Sequence, residues 1–487
     1  MKRDFWKTTR NLLLGLFVWA AMPAQAQTND ANRQLAWEIF KQLVAIDTTE
    51  CTTLAAQGMR QRLLDAGFPE NDVRLLGPND CKMNMVARLH GSGASRPILL
   101  ICHLDVVTPG AGWHYPPFVP TEEPPYLYGR GTQDVKDGVA IFVANLIQFK
   151  QEGYKPARDV ILALTADEEG GRYNGVEWLL KNHRDLIDAE LSVNSDAGGV
   201  ESEDGKPVAL NVELTEKTYA DYQLTVTSLG GHSSLPSRHG NAIRVLADAL
   251  GRVEGHQFPF ELNDVTLEYI EQRSRAEIGQ RAADLRAVLS PSPDPKALAR
   301  ISDDPFLNAT VRTTCVPTRV NGGQANNALP QKAEAIVNCR ILPGHSPEEV
   351  RQVLLNIIED PTVAVHWMAA SRDVFDRAPA ECGPPPAKPN AAVMNAVKNV
   401  VAEMWPGIPT WAMQETGASD GRFTNLAGIP TYGVSGVAID RDDMRMHGPD
   451  ERLRITSFYD GLDYYRRLLK KLTSPPGTVS GQGKQSR

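Results

Sequence analysis

Two stretches of this chain are apolar at nearly every position and run straight into acidic residues. They are PILLIC (97–102), ahead of His103-Leu104-Asp105, and VILALTA (160–166), ahead of Asp167-Glu168-Glu169. A strand without a polar face has to be covered on both sides, which points to a largely parallel sheet between layers of helices. The same runs raise a question of charge. Three adjacent carboxylates at the end of a buried strand repel one another unless a turn solvates them or something positive sits beside them.

The surrounding pattern fits an α/β sheet. Apolar positions recur every three to four residues over 32–45, 54–66, 137–151 and 174–183, predicting helices, and strand-like runs lie at 83–90, 97–107, 159–166 and 191–195. Near residue 216 the period changes. TYADYQLTVTSLGG alternates as a half-exposed strand does. A predicted helix at 241–253 follows, then strands at 308–314 and 333–341, a helix at 346–359 and a strand at 363–369. This describes a small α+β domain with one open sheet face. The stretch 257–305 carries a charged helical segment, a Ser-Pro-Ser-Pro-Asp-Pro break and no recognisable chemistry. A proline-rich link at 382–389 leads to a second α/β portion that closes with a helix over 455–472. The expected organisation is a catalytic domain in two parts, 27–215 and 381–473, an inserted domain at 216–380, and a disordered tail at 474–487. No internal repeat is visible.

At the N-terminus, Lys2, Arg3, Lys7 and Arg10 precede an apolar run from Leu12 to Met22, followed by Pro23 and Ala24-Gln25-Ala26. That order describes a secretory signal peptide over 1–26, cut after Ala26; the run is shorter than the roughly 20 residues that span a membrane. The rest of the chain has no apolar stretch of spanning length, so the mature protein is expected to be exported, periplasmic or secreted, and free of the membrane. Six cysteines without a C-x-x-C spacing argue against a cysteine zinc knuckle. An oxidising compartment permits disulfides, and Cys51 with Cys81, both in polar segments, is the first expected pair. The formal net charge is −8, and four of the basic residues lie in the expected signal. No basic cluster remains elsewhere, which excludes nucleic acid and anionic membrane surfaces as partners. The 487 residues suggest two or three domains.

In α/β sheets, ligands gather beyond the carboxyl ends of the strands. His103, Asp105, Glu168 and Glu169 fall there, as does Asp196 after LSVNS. His447 follows the strand-like stretch YGVSG, and YGRGTQDVKDG supplies Asp134, Lys136 and Asp137. Alone, each has an ordinary reading as a hydrogen-bonded core histidine or a turn aspartate. Together, two histidines and several carboxylates at one sheet edge describe a metal site. Nitrogen and carboxylate donors without cysteine suit zinc, with cobalt or manganese next. No G-x-G-x-x-G follows an early strand, which argues against a dinucleotide-binding oxidoreductase.

The ordered set His103-x-Asp105, Gly-Arg-Gly-x-x-Asp134-x-Lys, Asp167-Glu168-Glu169-Gly, Asp196 and His447-x-Pro-x-Glu resembles the two-zinc metallo-exopeptidase and deacylase family. Glutamate carboxypeptidase, aminoacylase, acetylornithine deacetylase and succinyl-diaminopimelate desuccinylase belong to it. The resemblance covers essentially the whole mature chain. It implies an α/β fold, a zinc-exopeptidase-like mixed sheet flanked by helices, with an inserted α+β lid and dimerisation domain. It implies two Zn2+ ions, with Asp134 bridging them, His103 and Asp196 completing one, and Glu169 and His447 the other. Glu168 would be the general base and Asp105 the partner that orients His103. Two ions about 3.5–4 Å apart can hold a hydroxide and polarise a carbonyl together, and their charge lets neighbouring carboxylates stay ionised.

In the inserted domain, LGGHSSLPSRHG resembles the family's lid motif, making His232 the group that stabilises the oxyanion, often from the partner of a homodimer; His239 stays structural. Asn327 and Arg340 match positions that bind substrate across the dimer. ETGASDGRF resembles the substrate-carboxylate loop, with Gly417 and Arg422 as contacts. The implied substrate is a peptide or an N-acyl amino acid. Aspartate at 196 is the peptidase pattern, so the expectation is an exopeptidase of carboxypeptidase or dipeptidase type. An N-acyl-amino-acid deacylase is the alternative. A non-catalytic binding module would have lost the base or a ligand, and none is lost.

Overall fold

The computed structural model describes residues 24–475 except 237–239 and 385. Most of the expected signal peptide, His239 and the tail beyond Pro475 lie outside the described residues. A cut after Ala26 would fall in the first turn of the helix Ala24–Val44. Among the described residues no helix is long and apolar enough to cross a membrane.

The two apolar runs form the adjacent parallel strands Ile98–His103 and Val160–Thr165, in register from Ile98 opposite Val160 to His103 opposite Thr165. Every residue of both is buried. Alternation along the strands splits these side chains between two cores. Ile98, Leu100, Val160, Leu162 and Leu164 join the helices Lys136–Gln151 and Ile455–Leu472. Leu99, Ile101, Ile161 and Ala163 meet Val176 and Leu179 of the helix Gly175–Asn182 on the other side. The helix Lys136–Gln151 is buried from Lys136 to Phe149, as a helix between a sheet and a second helical layer must be.

These strands sit inside a ten-stranded mixed sheet built from both halves of the chain. Thr431–Gly433 runs parallel to Leu191–Asn194, Ala438–Asp440 parallel to Gly199–Glu203, and Thr410–Glu415 parallel to Lys206–Glu216. A second, five-stranded antiparallel sheet takes Thr314–Gly322, Lys332–Ile341, Thr218–Thr227, Val363–Met368 and Val374–Phe375. Ala220, Tyr222, Leu224 and Val226 pack on the helices Ala242–Gly255 and Pro347–Ile358. Asp221, Gln223 and Thr225 alternate with them on the uncovered face.

Two expectations need correction. Beyond Phe258, which joins the small sheet's core, the stretch 257–305 does not pack with that sheet. Its helices Asp264–Ala276, Gly279–Val288 and Pro295–Ser302, with Pro305–Thr310 after them, bury Tyr269, Ile270, Leu285, Ile301 and Leu307 against Ala209, Trp411 and Met413 of the large sheet. Asn263 Nδ2 donates to Gln414 Oε1 at 2.6 Å, and Gln414 Nε2 to the Thr310 carbonyl at 3.1 Å, fastening the bundle to that strand. The range 216–380 is therefore not one packed unit. The strand expected at 308–314 is also displaced. Asp304 caps a helix there, accepting the N–H groups of Phe306 and Leu307, with Pro305 in the first turn, and the strand begins at Thr314.

Cys51 is disulfide-bonded to Cys81, and Cys315 to Cys339; Cys102 and Cys382 are free thiols, the former buried. The second pair, unforeseen, joins residues directly opposite on neighbouring strands.

Candidate metal centre

Parallel strands end on the same side, so residues scattered along the chain meet at one edge. His103 is the last residue of its strand. Glu168 and Glu169 follow Val160–Thr165, and Asp196 follows Leu191–Asn194. The other two contributors are drawn in by a short antiparallel pairing of Tyr126–Tyr128 with Arg452–Arg454. The turn that carries Asp134 leaves the first of these strands, and the loop that carries His447 enters the second.

Asp134 is central. Its Oδ1 lies 3.1 Å from His103 Nε2 and its Oδ2 lies 3.0 Å from His447 Nε2. His103 Nε2 is also 3.6 Å from Asp196 Oδ1, and His447 Nε2 is 3.0 Å from Glu169 Oε2. Each imidazole nitrogen thus faces two carboxylate oxygens, and one carboxylate serves both sets. Glu168 joins His103 and Asp196 in a group whose ligand atoms all lie within 4.8 Å of one another.

The surrounding residues fix this geometry in ways the spacing did not reveal. Asp105 meets His103 through its backbone: Nδ1 is 3.0 Å from the Asp105 carbonyl oxygen, while the nearest carboxylate oxygen is 3.8 Å away. The Asp105 carboxylate instead accepts the backbone N–H groups of Glu168 at 3.2 Å and Glu169 at 3.1 Å. The expected carboxylate–imidazole contact is therefore replaced by a clamp on the two glutamates. Asp167, the first acid of the triplet, holds a left-handed backbone with φ +57. Its carboxylate is paired with Lys82 at 2.5 Å and accepts the Tyr173 N–H at 3.1 Å. Lys82 follows disulfide-bonded Cys81.

Arg130 and Glu451, motif residues with no assigned role until now, form an ion pair at 2.5 Å with side chains 1% and 0% exposed. Glu451 Oε1 also accepts the backbone N–H groups of Gln133 at 2.7 Å and Asp134 at 3.3 Å. Arg130 Nη2 donates to the Gly448 carbonyl at 3.2 Å. One ion pair thus joins the Asp134 turn to the His447 loop.

Charge shows what the cluster suits. Burial pushes Asp196 up to about 7 and, with Asp196 as neighbour, raises Glu168 well above the usual carboxylate range. Hydrogen bonds to Asp134 and Glu169 push His447 up to about 10. Burial opposes ionisation of Asp134, yet His103 and His447 hold it below the ordinary range. Among the described residues, Glu169 Oε1 has no hydrogen-bond partner although it is buried. Both His103 nitrogens face oxygen acceptors, so the ring carries two protons unless a cation replaces the one at Nε2. The donors are imidazole and carboxylate, with no thiolate, and this set fits a pair of divalent ions.

The sequence matches the profile of Peptidase family M20/M25/M40 over residues 99–471. The chain belongs to that family. Its members are metal-dependent hydrolases of amide bonds and dinuclear metal binders, and this M20 protein is such a hydrolase. It is 30% identical over 408 residues to the human "N-fatty-acyl-amino acid synthase/hydrolase PM20D1", covering 80% of this chain and 77% of that one. It is 28% identical over 386 residues to "Probable carboxypeptidase S-like 2" of Dictyostelium discoideum, covering 77% and 71%. The solved "M20 family metallo-carboxypeptidase Sso-CP2 from Sulfolobus solfataricus" shares its fold, with a TM-score of 0.67 at 16% identity over 90% of this chain and 99% of that one.

In this M20 chain the remaining candidate residues fall into two places. His232 and Asn327 lie together on the small sheet's side, where Gly231–His232 pairs with Ala328–Leu329 and the Ser233 N–H donates to the Asn327 carbonyl at 3.1 Å. His232 is exposed, its Nδ1 is 2.7 Å from Ser234 Oγ, and among the described residues no hydrogen bond or ion pair joins it to the candidate metal ligands. Arg340, Gly417 and Arg422 lie nearer the joint between the sheets. The guanidinium of Arg422 packs over Phe423 and helps hold down the Glu216 carboxyl, which burial pushes up to about 8. Glu216 and Lys217 are buried here too. Their position, where the strand pattern changes period, carries no sequence signal of a site.

Proposed function

We propose that this M20 hydrolase is an exported, zinc-dependent exopeptidase of carboxypeptidase or dipeptidase type. The observation that carries the proposal is the single carboxylate of Asp134 facing a histidine on each side, each completed by a second acid. His103, Asp134 and Asp196 would hold one ion; His447, Asp134 and Glu169 the other. When bound, the ions act as Lewis acids that polarise the scissile carbonyl and acidify the attacking water. The protein's own groups handle the proton. Glu168 takes it from the water and delivers it to the leaving amine nitrogen, and Asp105 keeps Glu168 aimed by gripping its backbone. His232 would stabilise the oxyanion, presented by the partner of a homodimer. The basic-apolar N-terminus and two disulfides support export.

A second reading, an N-acyl-amino-acid hydrolase, has the human relative's printed activity in its favour. One screen separates the two. Zinc-loaded protein, carrying an expected two metal equivalents per chain, is assayed on dipeptides, N-acetyl amino acids and N-fatty-acyl amino acids. Faster turnover of dipeptides supports the peptidase; faster turnover of acylated amino acids supports the hydrolase. No turnover of either class, with zinc, cobalt or manganese supplied, overturns both.

A further inference from the structure

We propose that the Cys51–Cys81 disulfide braces the turn carrying Glu168 and Glu169, acting through Lys82 as a positioning residue, and that a dithiol reductant slackens that turn by opening the bond. The effect on turnover rests on the role given above to Glu168.

The turn needs holding. Asp167 keeps a left-handed backbone, φ +57, which a residue with a side chain adopts where its surroundings impose it. Its side chain is 2% exposed, and Lys82 Nζ, 2.5 Å from Oδ1, is its one ion-pair partner among the described residues. A buried carboxylate needs that counter-charge. Its Oδ2 accepts the Tyr173 N–H at 3.1 Å, and any side chain at Gly171 would collide with the same carboxylate. The segment 167–173 therefore folds around Asp167, and the two glutamates are the next residues along it.

Lys82 is held from outside the metal centre. It lies in the loop 77–83 between the strands Val73–Leu76 and Asn84–Leu89, at the edge of the large sheet. Cys81, just before it, is bonded to Cys51, closing a span of 30 residues. The Thr52 N–H donates to the Cys81 carbonyl at 3.0 Å, and Thr52 Oγ1 to the Met83 carbonyl at 2.9 Å. These hydrogen bonds flank Lys82 and need the same alignment of the two segments that the disulfide fixes. Just past the loop, buried Asn84 accepts the Ala166 N–H at 2.9 Å. The contact on Ala166 comes from a sheet strand; the contact on Asp167 comes from the braced loop.

The brace is open to solvent, since Cys51 is exposed. Exchange with a dithiol is balanced: its two thiols become a disulfide while Cys51 and Cys81 each gain one electron and one proton. Opening the bond returns freedom to the loop and leaves Lys82 without its covalent anchor. The other disulfide is shielded, because Cys339 is fully buried.

The test is hydrogen exchange, read by mass spectrometry on the full metal-loaded chain, with kcat and KM measured on the same samples. Oxidised wild type is compared with dithiol-reduced wild type and with Cys51→Ser/Cys81→Ser, which lacks the bond without any reductant. Without the bond, the amides of 167–173 should exchange about tenfold faster, while those of the helix Ile455–Leu472 stay unchanged. The kcat should fall by about tenfold at nearly constant KM, the result of a small misplacement of a reacting group. Lys82→Met with the disulfide intact should reproduce both effects, and Lys82→Arg should keep slow exchange. A disulfide serving stability alone would quicken exchange throughout the chain, or only beside Cys51 and Cys81, and either pattern overturns the brace. Wild-type exchange over 167–173 in Lys82→Met overturns it too. Where a variant does not fold, reduced wild type decides by the same exchange pattern. If the oxidised protein hydrolyses neither dipeptides nor N-acyl amino acids, the proposed function fails, and exchange still decides the brace.

Discussion

Glu168→Gln is expected to lower kcat by at least ~10²-fold, the usual scale for loss of a general base, while the chain still folds and retains both metals. Gln keeps the size of the side chain and the backbone N–H that Asp105 grips, so only the proton-accepting oxygen is lost. Metal analysis gives this test its force. Glu168 lies close enough to His103 and Asp196 to be a ligand. If the variant loses one metal equivalent together with its activity, Glu168 is a ligand and the base is another group. If turnover stays near wild type, Glu168 has neither role. Glu169→Gln is the contrasting variant: it should weaken the site shared with His447, and added metal should restore part of its activity.

Glu451→Ala is expected to be the most destabilising single change near the centre, at about 3–5 kcal/mol. It strands the Arg130 guanidinium, 1% exposed, without its counter-ion, and removes the acceptor for the Gln133 and Asp134 N–H groups. The urea midpoint should fall at an unchanged slope, and metal should be lost more readily, because the Asp134 turn and the His447 loop are no longer joined. Pairing it with Arg130→Met should cost less than the two changes added, since no charge is then left buried. A loss under about 1 kcal/mol with metal retained would show that the pair does not hold the two segments.

Much of the fold could be read from two facts, strands with no polar face and acids at their ends. Continuous burial dictates covering layers, and parallel pairing brings the ends together. The ligand types could be read for the same reason. What could not be read depends on partners distant in the chain. Asp167 looked like a third member of an acidic triplet, but Lys82 neutralises it. The H-x-D spacing suggests a carboxylate–imidazole contact between Asp105 and His103, whereas the Asp105 backbone takes that part and frees the carboxylate for two amides. The helices over 264–310 looked like part of the insertion because they interrupt it in sequence. Their apolar faces are met by Trp411 and Met413, which come a hundred residues later.

That misplaced bundle has a mechanical consequence. Had the insertion been one unit, the small sheet would hang from the large one by two chain segments, free to swing like a door. Instead the chain passes between the two bodies at Lys217, at 256–263, at 311–313 and again at 376–390. The four crossings are drawn together at one joint, where Glu261 donates its N–H to the Val311 carbonyl at 3.0 Å and Ala387 donates its N–H to the Leu214 carbonyl at 2.6 Å. Any swing that carried His232 toward its own chain's candidate ligands would have to bend four segments in concert, where a simple insertion would bend two.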